Sequence, residues 1–198
     1  MLWLGDGNGG FIFSDKITVG NGPWMVGTGD VNSDGIPDVV CANSSGSSFS
    51  VVLCDSAGNL SSPINYPVGA FPISVDLGDV DGDLDLDIVT SNFTGANFTL
   101  YENDGTGVFI NRNDLPANQA GSCAVFHDRD NDGDMDVLTA SSSDDKIAWH
   151  ENDGGQGFTE WVISTSADSA QSVFAADVDG DGDMDVLSGS YMDDKIAW

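Results

Sequence analysis

The sequence predicts an all-β fold, a β-propeller built from four-stranded blades, and three observations lead to this prediction. Four acidic clusters begin at Asp30, Asp79, Asp128 and Asp177, each 49 residues after the last. Each period contains several short runs of alternating or β-branched residues. No window shows the sustained apolar spacing of an amphipathic helix. A fixed period of roughly 20 to 50 residues indicates a propeller, a solenoid or another repeat array.

Turn residues divide each period into four short runs, which we predict to be strands. In the third period the runs are DVLTAS (136–141), KIAWHEN (146–152), GFTEWVIS (157–164) and SVFAAD (172–177). Gly, Asn, Asp and Ser separate these runs, as expected for strands joined by hairpins. Four strands per period match one propeller blade. A parallel β-helix is the alternative fold, although its coils are usually shorter than this period.

Other columns of the sequence keep the same period and define the repeats. Three sets of residues are in register: Phe11, Leu60, Phe109 and Phe158; Asp6, Asp55, Asp104 and Asp153; and Gly9, Gly58 and Gly107, with Gln156 in the last place. We therefore predict a single propeller region at 1–198. It has a partial blade at 1–22 and repeats near 23–71, 72–120, 121–169 and 170–198.

These repeat boundaries predict about four blades, with an incomplete blade at each end. The chain opens in the third strand of one blade, with MLWL, and ends in the third strand of another, with KIAW. The alternative is a closed four-bladed ring. In that ring the strand near 10–18 supplies the outer strand that the last blade lacks.

The chain is strongly acidic, and its acidic residues are unevenly distributed. It has 33 acidic and 5 basic residues, a formal net charge of -28, and 18 of the acidic residues lie in the four clusters. Nucleic acids and anionic membranes need a basic surface, so neither partner is expected. Apolar residues make up 40% of the chain, which favours a packed core over disorder. No apolar run approaches the roughly 18 residues of a membrane span, and the first residues lack the features of a signal peptide.

The cysteines are few and odd in number, which argues against a disulfide framework. Cys41 and Cys54 could face each other across a hairpin. The favoured interpretation is three buried free thiols, with Cys123 as the third.

The four acidic clusters share the pattern D-x-[DN]-x-D-[GL]-x-x-D, which we interpret as four Ca²⁺ sites. Ca²⁺ takes roughly six to eight oxygen ligands, and alternate side chains of a curled loop can converge on one ion. Positions 1, 3, 5 and 9 would supply side-chain oxygens, and position 7 its backbone carbonyl. The predicted ligands are Asp30, Asn32, Asp34, Ile36 and Asp38; Asp79, Asp81, Asp83, Asp85 and Asp87; Asp128, Asp130, Asp132, Asp134 and Asp136; and Asp177, Asp179, Asp181, Asp183 and Asp185.

The EF-hand, a zinc site and a magnesium site each fit the acidic pattern less well. An EF-hand needs Glu at position 12 and a helix on each side, whereas here position 12 is Cys41, Thr90, Thr139 or Ser188 and strand residues follow. The clusters contain no Cys or paired His for zinc, and Mg²⁺ keeps its waters and uses fewer protein ligands. A solvated acidic turn is the remaining alternative, which four recurrences of one spacing disfavour.

Position 6 of the pattern is glycine in three clusters, where a positive φ is expected to allow a sharp turn. Leu84 stands at this position in the second cluster. We expect Gly82, at position 4, to make the turn there instead.

The pattern resembles the FG-GAP/VCBS repeats, which are the blades of integrin α-subunit-like propellers and of many secreted bacterial proteins. The resemblance covers nearly the whole chain, because the acidic pattern recurs four times at one period and apolar or β-branched residues follow it. It implies a ring of about seven blades, so that the roughly four blades of this chain form part of a larger ring. It also implies that the loop between the first and second strands of each blade binds Ca²⁺.

We expect a non-catalytic module that binds Ca²⁺ and serves adhesion or ligand binding outside the cell, with an extracellular protein or a glycan as its ligand. The alternative is an accessory propeller of a secreted lectin or polysaccharide-active enzyme. Catalysis needs residues with distinct roles, and the candidates that break the repeat are His127 and His150. Both are interpreted as surface or capping residues, so no catalytic residue is assigned.

Overall fold

The computed structural model describes residues 1–116, 120–155 and 157–197, and its sheets are antiparallel throughout. Gln156 and Trp198, which take part in the repeated sequence columns, lie outside the described residues. Among the described residues, no helix is long and apolar enough to cross a membrane. Apart from the strands, the regular structure of the described ranges is one short 3₁₀ helix at Ser44–Gly46.

Three four-stranded sheets follow one another along the chain, and in each of them consecutive strands pair as a meander. The first sheet contains β3 (Pro23–Gly29), β4 (Asp38–Asn43), β5 (Ser48–Val52) and β6 (Ile64–Pro67). The second contains β7 (Pro72–Gly78), β8 (Asp87–Asn92), β9 (Asn97–Asn103) and β10 (Phe109–Pro116). The third contains β11 (Gly121–His127), β12 (Asp136–Ser141), β13 (Lys146–Asn152) and β14 (Phe158–Ser164).

Two smaller sheets flank these three. A two-stranded sheet precedes them, with β1 (Leu2–Gly5) and β2 (Phe11–Asp15), and a three-stranded sheet follows, with β15 (Ala170–Ala176), β16 (Asp185–Ser190) and β17 (Lys195–Ala197). The fold is therefore an all-β propeller, as the sequence predicts. The short β-branched runs form the strands, because their alternating side chains pack on both faces of a sheet.

The strand near 10–18 does not complete the last sheet. Phe11–Asp15 pairs with β1 instead. The turn between the two strands holds them together, because the N–H groups of Asn8 and Gly10 donate to Asp6 Oδ1 at 2.8 and 2.9 Å. In the part of the chain that the structure describes, this strand therefore does not close a four-bladed ring.

Neighbouring sheets lie side by side through their first strands, so that the hydrophobic core runs between blades: β3 contacts β7, β7 contacts β11, and β11 contacts β15. Between the first two blades, Phe49 stacks on Tyr66 with ring centroids 5.0 Å apart and meets the edges of Tyr101 and Phe109 at 5.5 Å. Aromatic contacts of this kind each add roughly 0.5–1.5 kcal/mol beyond the burial of their area. A blade is thus stabilised by its neighbour.

The burial of one repeated column shows this dependence. Val75 and Val173 are buried against the preceding blade, whereas Val26, at the same place in β3, is 63% exposed.

The three cysteines are free: Cys41 is buried, while Cys54 and Cys123 are half-buried, which corrects the expectation that all three are buried. Cys41 lies opposite Ser50 across the β4–β5 hairpin, so it does not face Cys54.

Candidate metal centres in the acidic loops

The four acidic clusters form the loops between the first and second strands of successive blades, and we number them loops one to four. In loops two, three and four, carboxylate oxygens of positions 1, 3 and 9 lie within 4.8 Å of one another. These groups are Asp79, Asp81 and Asp87; Asp128, Asp130 and Asp136; and Asp177, Asp179 and Asp185. In loop one position 3 is Asn32, whose Nδ2 donates to Asp34 Oδ2 at 3.1 Å.

Two backbone positions with positive φ give each loop its curl. At position 6, φ is 83° for Gly35, 100° for Gly133, 96° for Gly182 and 76° for Leu84. The expectation that Gly82 replaces the turn of Leu84 is wrong, because Leu84 itself adopts the left-handed conformation. Position 4 is left-handed as well, in Ser33, Gly82, Asn131 and Gly180. Position 4 was hard to recognise in the sequence, since only two of its four residues are glycine.

The position 1 carboxylate closes the loop from inside. The position 6 N–H donates to it in all four loops, at 2.7 Å from Gly35 to Asp30 and at 3.0 Å from Leu84 to Asp79. The corresponding bonds of loops three and four are both 3.2 Å. Position 1 is thereby held at the centre of the curl.

The position 5 carboxylate lies outside the three-oxygen groups. Its Oδ1 accepts a hydrogen bond from the position 7 N–H, at 2.8 Å between Asp34 and Ile36 and at 2.9 Å in the other three loops. This bond orders the second half of the loop. A role of position 5 and of the position 7 carbonyl as ligands stays a prediction.

The position 9 aspartate is the buried part of each of the first three loops. Asp87 accepts backbone hydrogen bonds from Val80 at 2.7 Å and from Asn103 at 2.8 Å, and Asp38 and Asp136 have equivalent pairs of donors. Burial raises the pKa of Asp87 to about 7 and, against the effect of these hydrogen bonds, also raises the pKa of Asp38 and Asp136. A buried carboxylate with a raised pKa gains from a nearby cation that favours its charged form.

The oxygens of these loops fit a hard cation. Two ligands at about 2.4 Å from one ion can be at most about 4.8 Å apart, which is the spread of the three-oxygen groups. In loop three, Asp128 Oδ1 is buried and has no hydrogen-bond partner among the described residues. A buried oxygen without a donor is costly unless a cation or a water satisfies it. The all-oxygen donor set matches Ca²⁺.

The two histidines differ in their burial and contacts. His150 is buried on β13, where its Nε2 lies 3.2 Å from Thr139 Oγ1 and its ring meets the edge of Phe98. Burial lowers the pKa of His150 to about 4. The interpretation of His150 as a surface or capping residue is therefore wrong, whereas His127 is half-buried at the end of β11.

Two asparagines next to the loops are not among the residues predicted from the sequence. Asn103 and Asn152 end the third strands of the second and third blades, and each is buried and hydrogen-bonded to two acidic loops. They stand 49 residues apart in one column, with Cys54 at the equivalent place in the first blade. This repeated asparagine is the sequence feature from which a role for the two residues could be predicted.

Comparison with known proteins agrees with this architecture. The profile described as FG-GAP-like repeat matches residues 30–90, 79–139 and 128–188. Among solved structures, the chain is similar to the Tc holotoxin pore of Photorhabdus luminescens that carries the TccC3-D651A mutation, with 21% identity and a TM-score of 0.51. The match covers 82% of this chain and 8% of that one, so it concerns the fold alone. No curated protein matches the sequence.

Proposed function

This chain belongs to the family of FG-GAP-like repeat proteins, and we propose that it is a Ca²⁺-binding propeller module that serves adhesion or ligand binding outside the cell without catalysis. The observation that carries the proposal is the convergence of three carboxylate oxygens in each of three loops. Carboxylates this close repel by roughly 3 kcal/mol per pair at an effective dielectric of about 20. A bound cation removes that repulsion.

The residues of each loop divide the work of holding Ca²⁺. In loops two, three and four, positions 1, 3 and 9 present the converging oxygens, and the left-handed residues at positions 4 and 6 bring these oxygens to one side. Position 9 anchors the loop to the blade through its backbone hydrogen bonds. Bound Ca²⁺ supplies positive charge that fixes the loop in this closed form. The module gains stability from the ion and keeps its loop surface rigid.

The placement of the loops supports a binding role. Every loop joins the first strand of a blade to the second, so all four lie on the same side of the propeller. The result is a repetitive acidic surface on which bound cations can meet the oxygens of a ligand. An extracellular protein or a glycan supplies such oxygens, whereas a nucleic acid is repelled by a net charge of -28.

The non-catalytic part of the proposal rests on the regularity of the chain. The acidic residues keep equivalent roles in successive loops, and catalysis needs residues with different roles at one place. His150, which interrupts the repeat, is buried between Thr139 and Phe98. Its low pKa of about 4 keeps the ring neutral at neutral pH.

Titration calorimetry with CaCl₂ on the chelator-stripped chain, together with melting in Ca²⁺ and in chelator, tests the proposal. We expect heat of binding at up to four sites. A ligand that binds only the folded state adds about 2.7 kcal/mol at 100 times its Kd. MgCl₂ at the same ionic strength is the control and should give a smaller shift. An unchanged melting temperature in chelator, with no heat of binding, contradicts the Ca²⁺ proposal, and a glycan array then probes ligand binding by itself.

A further inference from the structure

Asn103 connects loop one with loop two through buried hydrogen bonds. Its side-chain Nδ2 donates to the carbonyl of Val31 at 2.7 Å, and its backbone N–H donates to Asp87 Oδ1 at 2.8 Å. Val31 is position 2 of loop one, and its own N–H donates to Asp38 Oδ2 at 3.2 Å. The position 9 carboxylates of the two loops are thus separated by only two residues, each bonded to the next.

Asn152 repeats this connection one blade further. Val80, in loop two, donates its N–H to Asp87 Oδ2 at 2.7 Å and accepts from Asn152 Nδ2 at 2.8 Å. The N–H of Asn152 in turn donates to Asp136 Oδ1 at 2.8 Å. A continuous line of hydrogen bonds therefore runs through three acidic loops, from Asp38 to Asp136.

The line is shielded from water along its whole length. Its seven members are each at most 4% exposed: Asp38, Val31, Asn103, Asp87, Val80, Asn152 and Asp136. Hydrogen bonds to a buried carboxylate are strong and depend on its charge, because water does not compete with them. A change in the charge or position of one position 9 carboxylate therefore alters the hydrogen bonds of the next asparagine.

We propose that Asn103 and Asn152 are positioning residues that couple Ca²⁺ binding among loops one, two and three. Ca²⁺ in one loop fixes its position 9 carboxylate and, through the position 2 backbone, the carbonyl to which the asparagine donates. The asparagine then holds the carboxylate of the neighbouring loop ready for the next ion. The inference rests on the proposed Ca²⁺ binding and adds to it the prediction of cooperativity.

Loop four serves as an internal control. Among the described residues, Asp185 accepts one hydrogen bond from a backbone N–H, that of Val178 at 2.9 Å. The carbonyl of Arg129, the position 2 residue of loop three, receives no asparagine donor in the part of the chain that the structure describes. Within residues 1–116, 120–155 and 157–197, no asparagine forms between loops three and four the bridge that joins the other pairs.

Two variants of the full chain isolate one pair of loops each. Asp130→Lys with Asp179→Lys leaves loops one and two, because an ammonium group at position 3 repels a cation. Asn32→Lys with Asp81→Lys leaves loops three and four. Each protein is titrated with CaCl₂ by calorimetry, and its melting at saturating Ca²⁺ verifies that it is folded.

The bridge is then removed in the protein that keeps loops one and two. Asn103→Ala deletes the side-chain amide that donates to Val31, and Asn103→Cys is the milder variant, since Cys54 occupies this place in the first blade. Asn92→Ala is the matched control. Asn92 is also buried in the second blade, but its Nδ2 donates to Asn97 and Thr99 of the same sheet, at 3.1 and 2.9 Å.

We expect a Hill coefficient above 1 for loops one and two, with the second ion bound about tenfold more tightly than without the first. Asn103→Ala and Asn103→Cys should keep two sites and lower the coefficient to at most 1, whereas Asn92→Ala should leave it unchanged. Loops three and four should bind without cooperativity. The inference is overturned if the Asn103 variants keep the cooperativity, or if loops three and four match loops one and two. Absence of Ca²⁺ binding by the unaltered chain overturns the proposed function instead.

Discussion

Loops two and four contain the same acidic pattern in different surroundings. Asp87 is fully buried and accepts two backbone hydrogen bonds, whereas Asp185 is half-buried and accepts one among the described residues. Loop two also bears Leu84 at position 6, where loop four has Gly182, yet both residues have positive φ. The motif alone therefore sets the curl of the loop. The neighbouring blades set its depth and its connections.

This difference predicts how strongly the stability of each loop depends on the proposed Ca²⁺. In loop two, burial opposes the charged form of Asp87, so the proposed Ca²⁺ would offset a cost that burial in the fold imposes. In loop four the carboxylates face solvent and can be screened by water and salt. The buried loop should therefore contribute more to the stability of the Ca²⁺-bound protein than the exposed one.

Removal of the position 9 carboxylate should give the largest difference between the two loops. In Ca²⁺ at pH 7.5, we expect Asp87→Ala to lower the free energy of unfolding by about 4 kcal/mol, because it removes a ligand and leaves two N–H groups without an acceptor. Asp185→Ala should cost about 2 kcal/mol. Urea denaturation in saturating CaCl₂ measures the free energy of unfolding of both variants. Equal losses would show that burial of the loop adds nothing to the site.

The same two variants test the pH dependence of the metal-free protein. The pKa of Asp87 is raised from 3.8 to about 7 in the folded state, so the folded protein binds this proton more tightly than the unfolded one. Its contribution to stability is present below pH 3.8 and is lost as the pH rises through about 7. The full difference corresponds to at most about 4 kcal/mol.

In chelator, stability should therefore fall between about pH 4 and pH 7 more steeply in the unaltered chain and in Asp185→Ala than in Asp87→Ala. Denaturation at several pH values in chelator measures the slopes. Comparison of the slopes of the two variants cancels the contribution of the other carboxylates. If Asp87→Ala has the same slope as the unaltered chain, the raised pKa of Asp87 is not the cause of this pH dependence.

The fold could be predicted from the sequence because every blade repeats the same local pattern. The run at 136–141 is strand β12 and the run at 146–152 is β13, with no shift in their bounds. Alternating apolar residues and turn residues determine these strands locally. The pairing of β2 with β1 was harder to predict, since it depends on which of two equivalent edges the strand meets.

The candidate site was predictable in its residues but not in its connections. The spacing of the aspartates predicted the loops, and positions 1, 3 and 9 do converge in three of them. The sequence did not predict the bridge by Asn103, because the carbonyl of Val31 that it contacts lies 72 residues away. It also did not predict the φ of Leu84, because hydrogen bonds from its loop override the preference of a leucine backbone.

Exchange of the position 6 residues of loops two and four tests whether the left-handed backbone of Leu84 is strained. Leu84 is 88% exposed, so Leu84→Gly removes little packing and relieves a left-handed conformation that costs a non-glycine residue roughly 1–2 kcal/mol. After the entropy cost of glycine, we expect a gain of about 1 kcal/mol, and the reverse change Gly182→Leu should lose about the same. Thermal and urea unfolding in CaCl₂ measure both. If Leu84→Gly brings no gain and Gly182→Leu brings no loss, a non-glycine residue at position 6 is not strained.

The smallest effect is expected at an exposed contact between loops. Ser33 Oγ donates to Asp85 Oδ1 at 3.3 Å, which joins loop one to loop two at the surface. Water competes with this long hydrogen bond, so Ser33→Ala should change the free energy of unfolding by less than about 0.5 kcal/mol. It should also leave Ca²⁺ cooperativity unchanged, whereas loss of the buried Asn103 bridge should abolish it. Urea denaturation and calorimetry with CaCl₂ measure the two quantities. A loss of cooperativity in Ser33→Ala would place the coupling between these loops at their surface and not in the buried line of hydrogen bonds.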